Sequence, residues 1–241
     1  MSSRASIENK RRKIAKQFMA GSSNIKEGTI RSISPEDLQL LFQLYDRVFL
    51  NNWFRDSYKG KIKFSFSKRM TRSAGKTICP KNIDRIEPEK LTIEIRIGVD
   101  FFFNYGMIQE DKIVCGVLTT NPLQALQLVF EHELCHVIEF IRFKKSNCNG
   151  DIFKTMALNM FGHTESNHKL PTYRQIARQK FGLNIGDRVS FTFENMELKG
   201  ILYNINKRAT VMVRDKEGTM VDNKGNRYTK YYIPISMLNA L

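Results

Sequence analysis

The sequence predicts an α+β protein, in which a domain of helices and a small mixed sheet is followed by a small SH3-like β-barrel. Residues 34–170 contain two long segments with helical spacing of apolar residues. Between them lie segments in which apolar and polar residues alternate, as in half-buried strands. This mixture is typical of an α+β domain. Residues 185–241 contain five short strand-like segments separated by turn residues, which indicates the barrel.

The first helix of the domain is predicted to begin at Ser34. Ser34 can cap the helix, Pro35 suits its first position, and two acidic residues follow near the positive end of the helix dipole. Apolar residues then recur at helical spacing. Two strands are predicted in residues 61–67 and 91–99, where apolar and polar side chains alternate. A further helix is predicted in residues 151–161.

Three segments lie outside the domain of residues 34–170. Residues 1–33 are polar and basic without sustained periodicity, so they are predicted to form a flexible tail. Residues 171–184 are predicted to be a connector. Residues 185–241 form the predicted barrel, which is a candidate nucleic-acid-binding module.

The net charge indicates a polyanionic partner. The chain has 39 basic and 24 acidic residues, a net charge of +15 and a pI of about 9.7. The two ends are the most basic parts: residues 1–33 contain 8 basic and 2 acidic side chains, and residues 171–241 contain 12 and 6. Basic segments can bind nucleic acid by neutralising phosphates, although they can also serve only to keep a protein in solution. We therefore expect nucleic acid as a partner.

Candidate contacts with nucleic acid lie in both basic ends. The basic candidates are Lys10, Arg11, Arg12, Lys13, Lys199, Lys207 and Arg208. Four tyrosines of the predicted barrel could stack on bases, and the alternative for at least half of them is a place in the barrel core. They are Tyr203, Tyr228, Tyr231 and Tyr232.

The composition also bears on location. No apolar run approaches the roughly 20 residues of a membrane span, and no apolar stretch follows the basic N-terminus as in a secretory signal. Four cysteines without a C-x-x-C pair predict neither a disulfide framework nor a four-cysteine zinc site. We expect an intracellular protein without a membrane partner, in a nucleus, a nucleoid or a viral replication site. The oligomeric state stays open.

The chemistry is concentrated in a helix predicted from Asn121 to about residue 145. Its apolar pattern is interrupted by the HExxH motif of residues 132–136. His132 and His136 lie one turn apart on one helix face, so both imidazoles can bind one metal ion, and zinc is expected. Glu133 lies beside them and can act as the catalytic base that takes a proton from water and passes it to the leaving amine of a cleaved peptide.

The stretch 34–170 resembles the SprT/Spartan family of zinc metalloproteases. The matching pieces are DLQLLFQLYDRVF, KIKFSFSKRMTRSAG, LTIEIRI, EHELCHVIEF and NGDIFKTMALNMFGHTESNH, in the order that the family has them. The resemblance implies a zincin-like metalloprotease domain that binds Zn²⁺ and degrades protein substrates crosslinked to DNA. It also makes DNA the expected nucleic acid and DNA–protein crosslink repair the expected process.

The third zinc ligand departs from this pattern. The family usually supplies a histidine from a His-Gly-x-x-Phe element, and in this chain Asn149 occupies that histidine's position, before Gly150. An amide oxygen is a poor zinc ligand. Either Asn149, or nearby Asp151 or Cys148, completes a weakened site, or one of the two remaining histidines replaces the ligand, or the site is lost. These histidines are His163 and His168.

Two functions from different classes follow. The first is a zinc-dependent endopeptidase that acts at DNA, with Glu133 as catalytic base. The second is a catalytically impaired protein that serves as a nucleic-acid-binding adaptor. For the endopeptidase, residues 91–97 or a strand near them are expected to form the sheet edge to which an extended substrate is added.

Overall fold

The computed structural model describes residues 3–241, and the chain divides into two compact units. The first unit contains the described residues up to Gly106 together with Glu110–Leu170, and the second contains Met107–Gln109 together with Pro171–Leu241. Both α-helices and β-strands are present, so the chain is an α+β protein. Within residues 3–241, no helix has both the length and the apolar character that crossing a membrane requires.

Seven α-helices are described. They are α1 (Arg4–Gly21), α2 (Pro35–Phe49), α3 (Trp53–Ser57), α4 (Asp100–Phe103), α5 (Pro122–Phe143), α6 (Asp151–Phe161) and α7 (Tyr173–Phe181). Short 3₁₀ helices cover Ile83–Arg85, Pro88–Lys90, Tyr105–Met107 and Ile235–Met237.

Eleven β-strands are described. In the first unit they are β1 (Lys61–Phe66), β2 (Gly75–Ile78), β3 (Thr92–Ile97), β4 (Lys112–Val114) and β5 (Val117–Thr119). In the second unit they are β6 (Arg188–Phe193), β7 (Met196–Ile205), β8 (Ala209–Arg214), β9 (Met220–Val221), β10 (Arg227–Ile233) and β11 (Asn239–Ala240).

The first unit is built around a three-stranded mixed sheet and α5. The strand order is β1-β3-β2, in which β1 runs parallel to β3 and β2 runs antiparallel to it. The predicted strand LTIEIRI is therefore the centre of the sheet, and the edge strand that packs on α5 is β2. Residues 91–97 are therefore not the expected edge, and the other alternative, a strand near them, fits β2. The three isoleucines of β3 share one face of the strand and are buried in the core of the first unit.

The predicted helix starts are confirmed. Ser34 accepts a hydrogen bond from the backbone N–H of Asp37, and the Asp37 side chain accepts one from the Ser34 backbone, which forms a capping box. Asn121 caps α5 in the same position before Pro122. The predicted helix in residues 151–161 is also confirmed, and Gly162 ends it with a left-handed backbone (φ 67°).

The prediction of a flexible tail in residues 1–33 is wrong for residues 4–21, which form α1. Ser3 caps this helix, and its side chains Ile7, Ile14 and Phe18 are buried. These three residues, together with Arg11, recur at intervals of four or three and lie on one helix face. One apolar face of this helix therefore packs in the core of the first unit. In the sequence, the charged residues on its other faces hide this apolar pattern.

The predicted connector is also structured. Residues 173–181 form α7, which begins at a capping box between Thr172 and Gln175. Ala177 of this helix and Leu183 after it are buried in the core of the second unit. Residues 171–184 thus belong to the second unit and are not a separate linker.

The second unit contains a six-stranded antiparallel sheet in the order β11-β6-β7-β8-β10-β9. Glu194 and Asn195 both have positive φ and form the tight turn between β6 and β7. A bulge lies in β7 between Leu202 and Asn204. In the described part of the chain, no pairing joins the outer strands β9 and β11. The structure thus shows an open sheet and not the closed barrel that was predicted.

Candidate metal centre

The two motif histidines face each other across one turn of α5. The Nε2 atoms of His132 and His136 are 3.1 Å apart. Both rings contact Phe153 of α6, with ring centroids 4.9 and 4.6 Å from that of the phenylalanine. The two imidazoles therefore lie between α5 and α6, and their Nε2 atoms face a common point.

This point opens into a cleft of about 460 Å³. β2 and the segment before it supply Arg72, Ser73, Gly75, Lys76 and Thr77. The other lining residues are His132, Glu133, His136, Phe140, Ser146, Cys148, Ser166, Asn167 and His168. The cleft thus combines the HExxH motif, an edge strand and the loop between α5 and α6 in one cavity.

A chain of hydrogen bonds orients His136. Its Nδ1 lies 2.6 Å from the Ser146 hydroxyl, which donates to the buried Glu139 carboxylate at 2.5 Å. Because the Ser146 proton is used by Glu139, the Nδ1–H of His136 donates to Ser146, and its Nε2 keeps a free lone pair. An outer carboxylate that fixes the tautomer in this way is typical of metal-binding histidines.

Glu133 is held by β2. The Thr77 hydroxyl donates to Oε2 of Glu133 at 2.7 Å. Gly75 gives the carboxylate its room, because a Cβ on Gly75 would lie 2.5 Å from Oε1 of Glu133 and 2.8 Å from Val129. Gly75 is the last residue of the matching piece KIKFSFSKRMTRSAG. Its physical role is to let the Glu133 carboxylate approach the backbone of β2.

The protonation states in the cleft suit metal binding. Burial lowers the pKa of His132 to about 2 and those of His136 and His168 to about 4, so all three imidazoles are neutral at neutral pH. Metal ligation by histidine requires this form. Burial raises the pKa of Glu133 to about 7, against the lowering effect of the Thr77 hydrogen bonds. A cation beside Glu133 would favour the carboxylate.

Two groups of side chains could hold a metal ion, and both contain His132. In the first, the ligand atoms of His132, His136 and Cys148 lie within 4.8 Å of one another; in the second, the same holds for Cys115, His132 and His168. Buried Nε2 of His168 has no hydrogen-bond partner within residues 3–241. Imidazole and thiolate are the donors that zinc prefers, so these residues fit the metal.

The structure does not place Asn149 at the cleft. Its side chain is exposed, it is absent from the cleft lining, and its backbone N–H donates to Oδ1 of Asn147. Asp151 is exposed at the start of α6. Of the third ligands considered from the sequence, the cleft contains Cys148 and His168.

His163 belongs to a second, closed cluster on another side of α5. Its Nε2 lies 2.8 Å from Oε2 of Glu131, which is fully buried. Arg11 of α1 donates two hydrogen bonds to the same carboxylate, at 2.8 and 2.6 Å, and the Tyr45 hydroxyl donates a third at 2.7 Å. Burial opposes ionisation, but the charge of Arg11 and these bonds outweigh it and hold the pKa of Glu131 below its usual range.

Arg11 is consequently not available to a phosphate. Of the other basic candidates near it, Arg12 and Lys13 are exposed, and Lys10 is half-buried with its Nζ over the ring of Phe49. In the second unit, the predicted candidates Lys199, Lys207 and Arg208 are all exposed.

The four tyrosines proposed from the sequence to stack on bases divide into two pairs. Tyr203 and Tyr232 are 59% and 61% exposed, so their rings are accessible. The Tyr228 hydroxyl donates to Asp222, and the ring of Tyr231 packs against Phe191 of the core. Only the first pair is placed to stack on a ligand.

The cleft brings both histidines and the glutamate of a His-Glu-x-x-His motif on one helix into a single cavity. The SprT-like family matches residues 38–174, which is more than half of the 241-residue chain. The chain therefore belongs to the SprT-like family, which is associated with zinc and a metalloprotease-type function. Comparisons with curated proteins and with solved structures gave no match.

Proposed function

We propose that this chain is a zinc-dependent endopeptidase of the SprT type, with a zincin-like catalytic domain, that cleaves proteins associated with or crosslinked to DNA. The observation that carries the proposal is the convergence of His132, His136 and Glu133 on one open cleft. Family membership supports the class of reaction. The DNA-linked substrate rests on the resemblance to Spartan proteases and on the basic charge of the chain.

His132 and His136 would hold the metal, together with a third donor from the cleft. A zinc ion bound there supplies Lewis acidity, which polarises a peptide carbonyl and acidifies water. Glu133 would be the general base, because it lines the cleft beside both histidines and Thr77 occupies only its Oε2. The same carboxyl group then delivers the proton to the amide nitrogen as the peptide bond breaks.

An extended substrate can pair with β2. This strand is an edge of its sheet and lines the cleft with Gly75, Lys76 and Thr77. Backbone hydrogen bonds to an added strand bind a peptide without selecting its side chains. Such binding suits a protease whose substrates are united by attachment to DNA rather than by sequence.

A basic second unit would hold the protein at DNA. The support is the exposure of Lys199, Lys207 and Arg208, and the two accessible tyrosines of the sheet. Replacing the three basic residues by glutamine should lower the dependence of log affinity on log salt by about one for each side chain that pairs with a phosphate. Glutamine at the exposed Lys59, Lys81 and Arg85 of the first unit is the matched control. Affinity that stays flat with salt in the unmodified protein contradicts DNA tethering.

The direct test is cleavage of a protein crosslinked to DNA by the full chain, in comparison with the same protein without DNA. We expect zinc-dependent cleavage that is faster for the crosslinked form. Glu133→Gln should lower the rate by about 10²–10⁴-fold, since the general base is lost. Cleavage that persists at the original rate in this variant would contradict the assignment of Glu133.

The second candidate function is a DNA-binding adaptor without protease activity. The observation that favours it is Asn149 in the position of the family's third histidine. DNA binding by a protein that takes up no zinc, even when zinc is supplied at neutral pH, would establish the adaptor and exclude the protease.

A further inference from the structure

The proposed metal site has two donors from the motif, His132 and His136, and requires a third. Catalytic zinc sites normally use three protein ligands and keep one position open for water or substrate. The chain lacks a histidine at residue 149, and the Asn149 side chain lies outside the cleft. The question is which residue of the cleft takes its place.

We propose that the thiolate of Cys148 is the third protein ligand, which gives a site of two histidines and one cysteine. This inference rests on the proposed metal site and specifies its chemistry. Among the histidine, cysteine, aspartate and glutamate residues that the structure describes, the group with Cys148 is the one that contains both motif histidines within mutual reach of 4.8 Å.

The loop before α6 explains how residue 148 can supply the donor instead of residue 149. Glu139 accepts hydrogen bonds from the Ser146 hydroxyl and from the Asn147 backbone N–H, so the start of the loop is tied to α5. The Gly150 N–H donates to the carbonyl of Asn147 and closes a tight turn. Within this turn, Cys148 lines the cleft while the side chain of Asn149 faces solvent.

The second part of the His-Gly-x-x-Phe element, from Gly150 to Phe153, is present in this chain. Phe153, three residues after Gly150, packs against the rings of both motif histidines. This packing places the start of α6 directly against the two motif histidines. The ligand is thus offered one residue earlier on the same loop.

The alternative group is less suited to a catalytic metal. Cys115 is completely buried and lies 3.9 Å from Nδ1 of His132, on the side of the ring away from His136. A metal bound there would use only one of the two motif histidines. Cys148, by contrast, is partly exposed at the cleft itself.

Cobalt provides a test that does not depend on activity. Co²⁺ substitutes for zinc in tetrahedral sites, and a cobalt–thiolate bond produces a strong near-ultraviolet charge-transfer absorption that imidazole ligands do not give. The full-length protein, stripped of metal, is titrated with Co²⁺ alone. We expect one bound cobalt with this absorption, both in the unmodified protein and in Cys79→Ser, the control at the other partly exposed cysteine.

Cys148→Ser should abolish the absorption and weaken cobalt binding by more than about tenfold, since even outer-shell changes typically cost 10–100-fold. Cys148→His is the second variant, because it restores a third donor at the same residue. It should bind cobalt nearly as tightly as the unmodified protein but without the thiolate absorption, which also shows that substitution of Cys148 leaves the fold intact.

The outcomes separate this inference from the proposed function. Cobalt that binds through His136 without thiolate absorption would overturn the role of Cys148 and leave the metalloprotease proposal standing. Absorption that survives in Cys148→Ser but disappears in Cys115→Ser would also overturn it, in favour of the buried group. A protein that binds no cobalt at all would overturn both proposals.

Discussion

Two clusters of charged and polar side chains lie side by side on α5, and they differ in how their groups are satisfied. The carboxylate of Glu131 is fully buried and accepts hydrogen bonds from Arg11, Tyr45 and His163. Its neighbours His132 and Glu133 belong to an open cleft, in which two imidazole nitrogens face each other at 3.1 Å. Consecutive residues of one helix therefore have opposite roles.

The difference separates a structural buried charge from a reactive one. A buried charge that stabilises a fold has its partners within the fold, as the Glu131 carboxylate does. Groups that act on a ligand keep lone pairs for that ligand, which is the role we propose for the neutral imidazoles of the cleft. Burial alone does not distinguish the two clusters, because Glu131, His132 and Glu133 are all less than 5% exposed.

The largest effect is expected on stability, from removal of Arg11. Arg11→Met leaves the Glu131 carboxylate buried without its cation, which typically costs about 3–5 kcal/mol. The free energy of unfolding in urea measures this loss. Arg12→Met is the matched control, because Arg12 is exposed and its side chain donates to Asn9 of the same helix; it should change stability by less than about 0.5 kcal/mol. Equal effects of the two variants would contradict the structural role of the closed cluster.

The next effect is expected on catalysis, from a change at Gly75. Gly75→Ala places a Cβ against Oε1 of Glu133 and against Val129, so the proposed catalytic base must move. A displacement of about 1 Å can lower the rate by roughly 10²-fold. We expect kcat/KM to fall by this order while zinc content is retained. Gly106→Ala, where a Cβ meets no atom within 4 Å, is the control. Full activity in Gly75→Ala would show that the position of Glu133 in the cleft is not critical.

A smaller effect on stability is expected from Tyr45. Tyr45→Phe removes one of the hydrogen bonds to the Glu131 carboxylate and keeps the ring that packs in the core. Hydrogen bonds to charged groups contribute about 1.5–3 kcal/mol, so unfolding in urea should show a loss in this range. Tyr232→Phe, at an exposed ring, should be neutral. Neutral behaviour of both variants would mean that the closed cluster does not depend on this hydroxyl.

The smallest effect is expected at Asn149. Because its side chain is exposed and lies outside the cleft lining, Asn149→His should change zinc affinity by less than about threefold, in contrast to the 10–100-fold effects typical of groups coupled to a metal. Competition with a chelator of known affinity measures this change. A large gain in affinity would place the metal nearer to Asn149 than to Cys148.

The sequence was sufficient to predict the helices and strands whose patterns lie within a few neighbouring residues. The capping signals at Ser34 and Asn121, the alternation in β3 and the HExxH helix are each contained within a few residues, and the structure has all of them. α1 was missed because Arg11 interrupts its apolar face, and the partner that explains a buried arginine lies 120 residues away in α5. Long-range pairing of this kind is not visible in a single sequence.

The third donor was underdetermined for a similar reason. Position 149 is fixed by the family pattern, but which side chain enters the cleft is decided by the turn that Glu139 and Asn147 form. The two remaining histidines could not be separated by spacing either. The fold sends His163 to the closed cluster and His168 to the cleft. The sequence therefore identified the two motif histidines that meet in the cleft, but not which other side chains join them.

The measurement that tests the central claim most directly is zinc per chain, by elemental analysis of the purified full-length protein beside His136→Ala. If the cleft around His132 and His136 is a metal centre, the unmodified protein contains close to one zinc per chain and the variant contains almost none. Arg11→Leu, which alters the closed cluster alone, retains its zinc wherever the variant stays folded. An unmodified protein that takes up no zinc when it is supplied at neutral pH, or a His136→Ala variant that keeps it, would contradict the assignment.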